Sequence, residues 1–256
     1  QNADAAECPL VIDTSTSSCG NSRFGCWVCT VVDKDKSMEN LIDSGEDWMQ
    51  PLLELRQDLK DTQDPEKKLE IRDFKRRDGK VIFFTDGREK ITPGPYKIEF
   101  RKEFLKKLLQ AQQQVRKDGP DPTMSLILEE EIHEIQRIWR VEQGDWENSV
   151  YAIYQEITGV NLSLVKEDLG GFTEVEQNIL DEICVQNSVP KLLVSKLLNA
   201  EFDSQGMTKH SKIYPKLGKI LSEEWRGYDE IETIKKELKD KKKKKIQNEQ
   251  FSRETK

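Results

Sequence analysis

The chain has 256 residues, enough to bury a sizeable core in one or two domains. Hydrophobic and charged residues each make up 35%, a polar balance expected of a soluble, helix-rich protein. The net charge of −7 argues against a general nucleic-acid coat but leaves room for a local basic patch. No apolar run approaches the roughly 20 residues that span a bilayer, and no signal peptide is recognisable. No membrane partner and a cytoplasmic location are therefore expected. The first residue is Gln1 rather than Met, and the expectation is a fragment or processed product with an upstream domain.

Residues 1–36 are short on helical periodicity and rich in Cys, Ser, Thr and Gly. From Met38 to about Thr62, apolar residues recur at helical spacing. Ser37 is the expected cap, and Pro51 should kink or split the helix. A short helix after Asp64-Pro65 carries Leu69, Ile71 and Phe74. Asp78-Gly79, Val81-Ile82-Phe83-Phe84 and Asp86-Gly87 predict a small β-hairpin near 79–90. After Thr92-Pro93-Gly94-Pro95, a helix is expected from about Tyr96 to Lys117.

Gly119-Pro120-Asp121-Pro122 is the next break. A long helix carrying Leu126 to Val141 follows, then a shorter one from Val150 to Ile157 that ends at Gly159. Gly170-Gly171 reads as a hinge. Thr173 with Glu176 makes a capping box for a helix through Cys184, and Pro190 opens the next. A final helix is expected from Tyr214 or Leu217 to Leu238, before Lys241-Lys242-Lys243-Lys244-Lys245. The organisation expected is a mainly α protein in four regions. These are a cysteine-rich metal segment (1–36), a helical region with the hairpin (37–169), a C-terminal helical region (170–238) and a basic, disordered tail (239–256).

The strongest chemical signal is the spacing Cys8-x10-Cys19-x6-Cys26-x2-Cys29, which holds four of the five cysteines. Without a secretory signal, clustered thiols favour metal over disulfides. Four thiolates suit zinc or the irons of a cluster, and spacing alone leaves both open. Only one Cys-x2-Cys pair is present, and two cysteines are solitary, which favours a cubane. Phe24 and Trp27 would restrict water, and Arg23 with the glycine amides would offset cluster charge. Cys184 reads as a small buried hydrophobe.

His133-Glu134 lacks the second histidine of a metalloprotease helix, because Arg137 stands there. A solvated face with Glu129, His133 and Arg137 at i, i+4 spacing is expected instead. The run Lys241 to Lys245 is a candidate phosphate contact, although such runs are more often solvated tails. No nucleotide-binding loop and no Ser/His/Asp or Cys/His catalytic set is visible, so catalytic residues stay unassigned.

Three stretches carry a resemblance. They are Cys8-Pro9-Leu10-Val11-Ile12-Asp13, then Cys19-Gly20-Asn21-Ser22-Arg23-Phe24-Gly25-Cys26-Trp27-Val28-Cys29-Thr30-Val31-Val32, and Lys34-Asp35-Lys36-Ser37-Met38. With Arg76-Arg77-Asp78-Gly79 and Gly94-Pro95-Tyr96, they resemble the DndC family of DNA phosphorothioation proteins. That family is similar to phosphoadenosine phosphosulfate reductases, within the adenine-nucleotide α-hydrolase group. The resemblance is specific over about 8–38, extends to about 120 and is weaker beyond.

It implies the C-terminal part of an α/β sulfurtransferase that replaces a non-bridging oxygen of the DNA backbone phosphate with sulfur. It also implies a [4Fe-4S] cluster on Cys8, Cys19, Cys26 and Cys29. The implied partners are DNA, other Dnd proteins including an ATPase subunit, and a cysteine desulfurase as sulfur donor. ATP would bind only in an upstream domain, since the family's nucleotide motif is absent here, and this chain alone is expected to be inactive. The rival expectations are a zinc-stapled helical interaction module without catalysis, and a DNA-binding protein that uses the lysine run.

Overall fold

Helix α4 (Ile98–Asp118) is the spine of the described residues, and two hydrophobic cores among them lie along it. The computed structural model describes residues 27–82, 91–162, 174–202, 204, 213–234 and 236–237. The described chain is mainly helical. In order come α1 (Lys36–Asp43), a 3-10 turn (Asp47–Met49), α2 (Gln50–Asp61), α3 (Lys68–Ile71) and α4. They are followed by α5 (Glu129–Gln143), α6 (Ser149–Thr158), α7 (Glu174–Gln186), α8 (Lys191–Phe202) and α9 (Ile213–Leu221). Residues 228–234 are also helical. No described helix is long and apolar enough to cross a membrane.

The larger core joins Leu105 and Leu109 of α4 to Ile132 and Trp139 of α5 and to Val150, Tyr151 and Ile153 of α6. The i, i+4 placement of Leu105 and Leu109 sets one face of α4 against both neighbours. The smaller core gathers Met38, Leu52 and Val115, with Trp27, Trp48 and Met124 packed on it. Burial of such side chains contributes about 1.5–3 kcal/mol each. Gly119 ends α4 close against Trp48, where an added Cβ would come within 3.2 Å of the indole. In the C-terminal part, α8 packs against α5, α7 and α9.

Two glutamines support this body from inside. The Gln112 side-chain oxygen accepts from the backbone N–H of Leu126 (2.7 Å) and Ile127 (3.1 Å). The Gln136 side-chain oxygen accepts from Val150 N–H at 3.1 Å, and its amide donates towards Asp145. Both residues are buried. Each satisfies backbone groups that the turn between two helices would otherwise leave unpaired.

Several expected boundaries move. The helix expected from Met38 to Thr62 is two helices, separated at Gly45 (φ +108). The cap of α1 is Asp35, whose carboxylate accepts from Met38 N–H at 3.2 Å, rather than Ser37. Pro51 lies in the first turn of α2, where its missing N–H costs no intrahelical bond. The expected final helix breaks after Leu221, and Trp225 lies in the break with its indole N–H on Ile220 O at 3.0 Å.

No strand is found among the described residues. The hairpin expected near 79–90 lies mostly outside them, and its flanks are joined by Thr92 N–H donating to Ile82 O at 2.8 Å. An isolated antiparallel bridge pairs Arg72 with Tyr96.

Candidate functional site

Of the clustered cysteines, Cys29 lies among the described residues as a partly buried free thiol. Cys8, Cys19, Cys26 and the run Lys241 to Lys245 lie outside them. How Cys29 is held is well defined. Trp27, two residues before it, packs on the smaller core. Three of the four residues after it, Thr30, Val32 and Asp33, are gripped by α2 and the turn that follows. Lys60 donates to Thr30 O at 3.2 Å, and Gln63 donates to the Thr30 hydroxyl at 2.6 Å. Arg56, only 1% exposed, donates to the carbonyls of Val32 and Asp33.

Lys60 also pairs with the Asp33 carboxylate at 2.7 Å. The hydrogen bond and charge of Lys60 hold that carboxyl below its ordinary value, and Arg56 adds to the effect. The Asp33 side chain is 91% exposed, so this ion pair contributes little. The bonds that Arg56 makes to backbone carbonyls matter more, because their loss would leave a buried guanidinium short of acceptors. The result is a thiol attached to a rigid helix on one side and to a packed indole on the other.

A thiol-only donor set of the kind expected from the sequence suits zinc or the irons of a cluster, and of that set Cys29 alone lies among the described residues. No group of three or more His, Cys, Asp or Glu suited to a metal occurs among the described residues. His133 is not a solvated residue as expected. Its Nδ1 lies 2.8 Å from the Tyr151 hydroxyl, with the two rings edge to face. Arg137 pairs with Glu134 instead. Cys184 is buried, as expected, but its neighbours Ile183 and Val185 are exposed.

A second site is assembled from segments far apart in the sequence. A cleft of about 910 Å³ is walled by the segments 72–79 and 95–101, by the end of α5, and by α8 and residues 216–225. Its floor is a tight backbone crossing. Asp73 N–H donates to Pro95 O (2.8 Å), Gly94 N–H to Asp73 O (2.7 Å) and Lys97 N–H to Ile71 O (3.0 Å). Gly94 permits this approach, since a Cβ there would lie 1.7 Å from Lys75 O. The crossing brings Arg76, Arg77 and Gly79 into one cleft with Pro95 and Tyr96.

No protein-family model matches the chain, and no curated protein or solved structure matches it.

Proposed function

We propose that this chain is the iron–sulfur and helical C-terminal part of a DNA-backbone sulfurtransferase of the DndC kind. The observation that carries the reading is the set of four cysteines within 22 residues, ending at a Cys29 that α2 and Trp27 fix to the helical body. The resemblance over 8–38 names the family, and the thiol-only donor set agrees with it. In this reading Cys8, Cys19, Cys26 and Cys29 hold a [4Fe-4S] cluster, which when bound holds or passes sulfur and supplies electrons.

The chain's own residues do the positioning. Arg56 and Lys60 hold the backbone beyond Cys29, and Trp27 excludes water beside it. ATP is bound by an ATP-pyrophosphatase region, whose motif this sequence lacks. DNA, an ATPase subunit and a cysteine desulfurase are the working partners. The test is an anaerobic preparation of the chain and its Cys26→Ser variant. Broad absorption near about 400 nm, lost in the variant, supports a thiolate-ligated cluster. Iron content that is identical in both overturns it.

One observation favours the rival reading of a zinc-stapled interaction module. Helix α7 exposes Ile179 and Ile183, and Val185 beside them is 81% exposed. Such a module would be colourless with one zinc bound, since zinc has a filled d shell.

A further inference from the structure

We propose that the cleft between α5, α8 and the 72–79 segment binds phosphate groups through Arg76 and Arg77, with the phosphodiester backbone of DNA as their source. The choice of DNA rests on the sulfurtransferase reading above; the phosphate chemistry rests on the cleft alone. Seven of the residues lining the cleft are Lys or Arg and three are Asp or Glu, whereas the whole chain carries 41 basic and 48 acidic residues. The cleft thus reverses the sign of the molecule locally, and a concave cationic surface focuses the field on an anion.

Five of these cations divide into two kinds. Lys196 is paired with Glu223 at 2.6 Å, Arg101 donates to Tyr96 O at 2.9 Å, and Arg72 donates to Gly94 O at 3.1 Å. These build the walls. Arg76 and Arg77 are exposed, and their guanidinium groups make no hydrogen bond or ion pair among the described residues. They are therefore available to a ligand, and a guanidinium fork matches the geometry of a phosphate.

Their placement is fixed by backbone. Arg76 N–H donates to Lys80 O and Gly79 N–H to Arg76 O, both at 2.9 Å, closing a tight turn. Glu224 N–H then donates to Gly79 O at 2.8 Å, which pins the turn to the opposite wall. Gly79 has φ +74 and presses against the Glu223 side chain, where no Cβ would fit. A fixed cationic turn binds with less loss of conformational freedom than a mobile one.

Arg101 is a partly buried cation of the cleft wall. Burial draws its guanidinium below the ordinary value. Glu142 and Asp73 oppose this, and Arg77 adds to it. Arg72 leaves its Nε buried without a partner.

The aromatic faces argue against base recognition. The Arg72 guanidinium lies 4.1 Å from the Tyr96 ring centre. Lys75 and Lys196 lie 5.6 and 5.4 Å from the Trp225 ring. With these rings attended by cations, bases have little stacking surface, and the contact is to phosphate. Binding should then be insensitive to sequence and steeply dependent on salt.

The experiment measures binding of a labelled DNA duplex of about 20 base pairs by anisotropy across a salt series, using the full chain. Arg76→Ala/Arg77→Ala is expected to weaken binding at least about tenfold and to lower the salt slope by about two. Both side chains are exposed and unpaired, so the melting temperature should not move. Lys117→Ala, on the exposed end of α4, should bind as the parent does. Unchanged affinity and slope in the double variant overturn the proposal. So does binding that vanishes on removal of residues 241–245 alone.

ATP and pyrophosphate are tested in parallel. If they bind through the same two arginines while duplex does not, the phosphate site stands and DNA as its source fails. Cys26→Ser separates this inference from the sulfurtransferase reading. Loss of the metal with duplex affinity intact supports an independent cleft. Should the parent hold no iron yet bind duplex through Arg76 and Arg77, the cleft survives and the cluster does not.

Discussion

Arg56 donates to the carbonyl of Val32, three residues beyond Cys29, and thereby fastens the end of the cysteine segment to α2. The same guanidinium reaches Asp33 O at 3.2 Å. The donor is almost wholly buried. The contact is therefore part of the fold and sets where the last of the four thiols sits.

Arg56→Ala should destabilise the chain by about 2–4 kcal/mol, because it leaves two carbonyls short of a donor and opens a cavity. Chemical denaturation measures this. Metal retention should fall in parallel, since the backbone beyond Cys29 is released. Full stability in the variant would show that the contact is incidental.

Gly94→Ala tests the floor of the cleft. With Lys75 O at 1.7 Å from the added Cβ, the backbone crossing must open, at a cost of about 3 kcal/mol or more. Duplex affinity should fall with it. A comparable methyl at Gly218, which meets nothing within 4 Å, serves as the reference. It should affect neither stability nor binding by a similar amount.

Gln136→Leu keeps much of the volume of the side chain but unpairs Val150 N–H and weakens the support of Asp145. The expected loss is about 1–3 kcal/mol, read from the midpoint of denaturant unfolding. Gln136→Glu should retain the acceptor for Val150 N–H. It would place a second carboxylate beside Asp145, so its loss should grow as pH rises through the carboxylate range.

The Asp33–Lys60 pair gives a pH prediction with a definite sign. The folded-state carboxyl lies below its ordinary value of 3.8, chiefly through Lys60. Its contribution is therefore present above that value and fades as pH falls through the lowered one. Melting of the parent and Asp33→Asn should differ slightly at neutral pH and converge at strongly acidic pH. A difference that grows on acidification would contradict the assignment.

The helices were largely legible because their apolar residues recur with the helical period. Gly159 marked the end of α6, and Pro190 the start of α8. What escaped were features without local periodicity. Gln112 and Gln136 lie inside the core although they are polar, since their partners are backbone groups in distant turns. Asp35 rather than Ser37 caps α1, and two good caps two residues apart cannot be told apart by residue type alone. The cleft is assembled from residues 72–79, 95–101 and 192–225, and no window of sequence contains its charge reversal. Arg76-Arg77-Asp78-Gly79 and Gly94-Pro95-Tyr96 were conspicuous in the sequence, but their meeting at one backbone crossing depends on Gly94. The cysteine spacing was the clearest chemical signal, and the structure adds to it the fixing of Cys29.

The most direct test of the central claim is the metal and sulfide content of the anaerobically purified chain. A cluster on Cys8, Cys19, Cys26 and Cys29 predicts about four iron and four acid-labile sulfide per chain. About one zinc and no sulfide would contradict it and would favour a stapled interaction module.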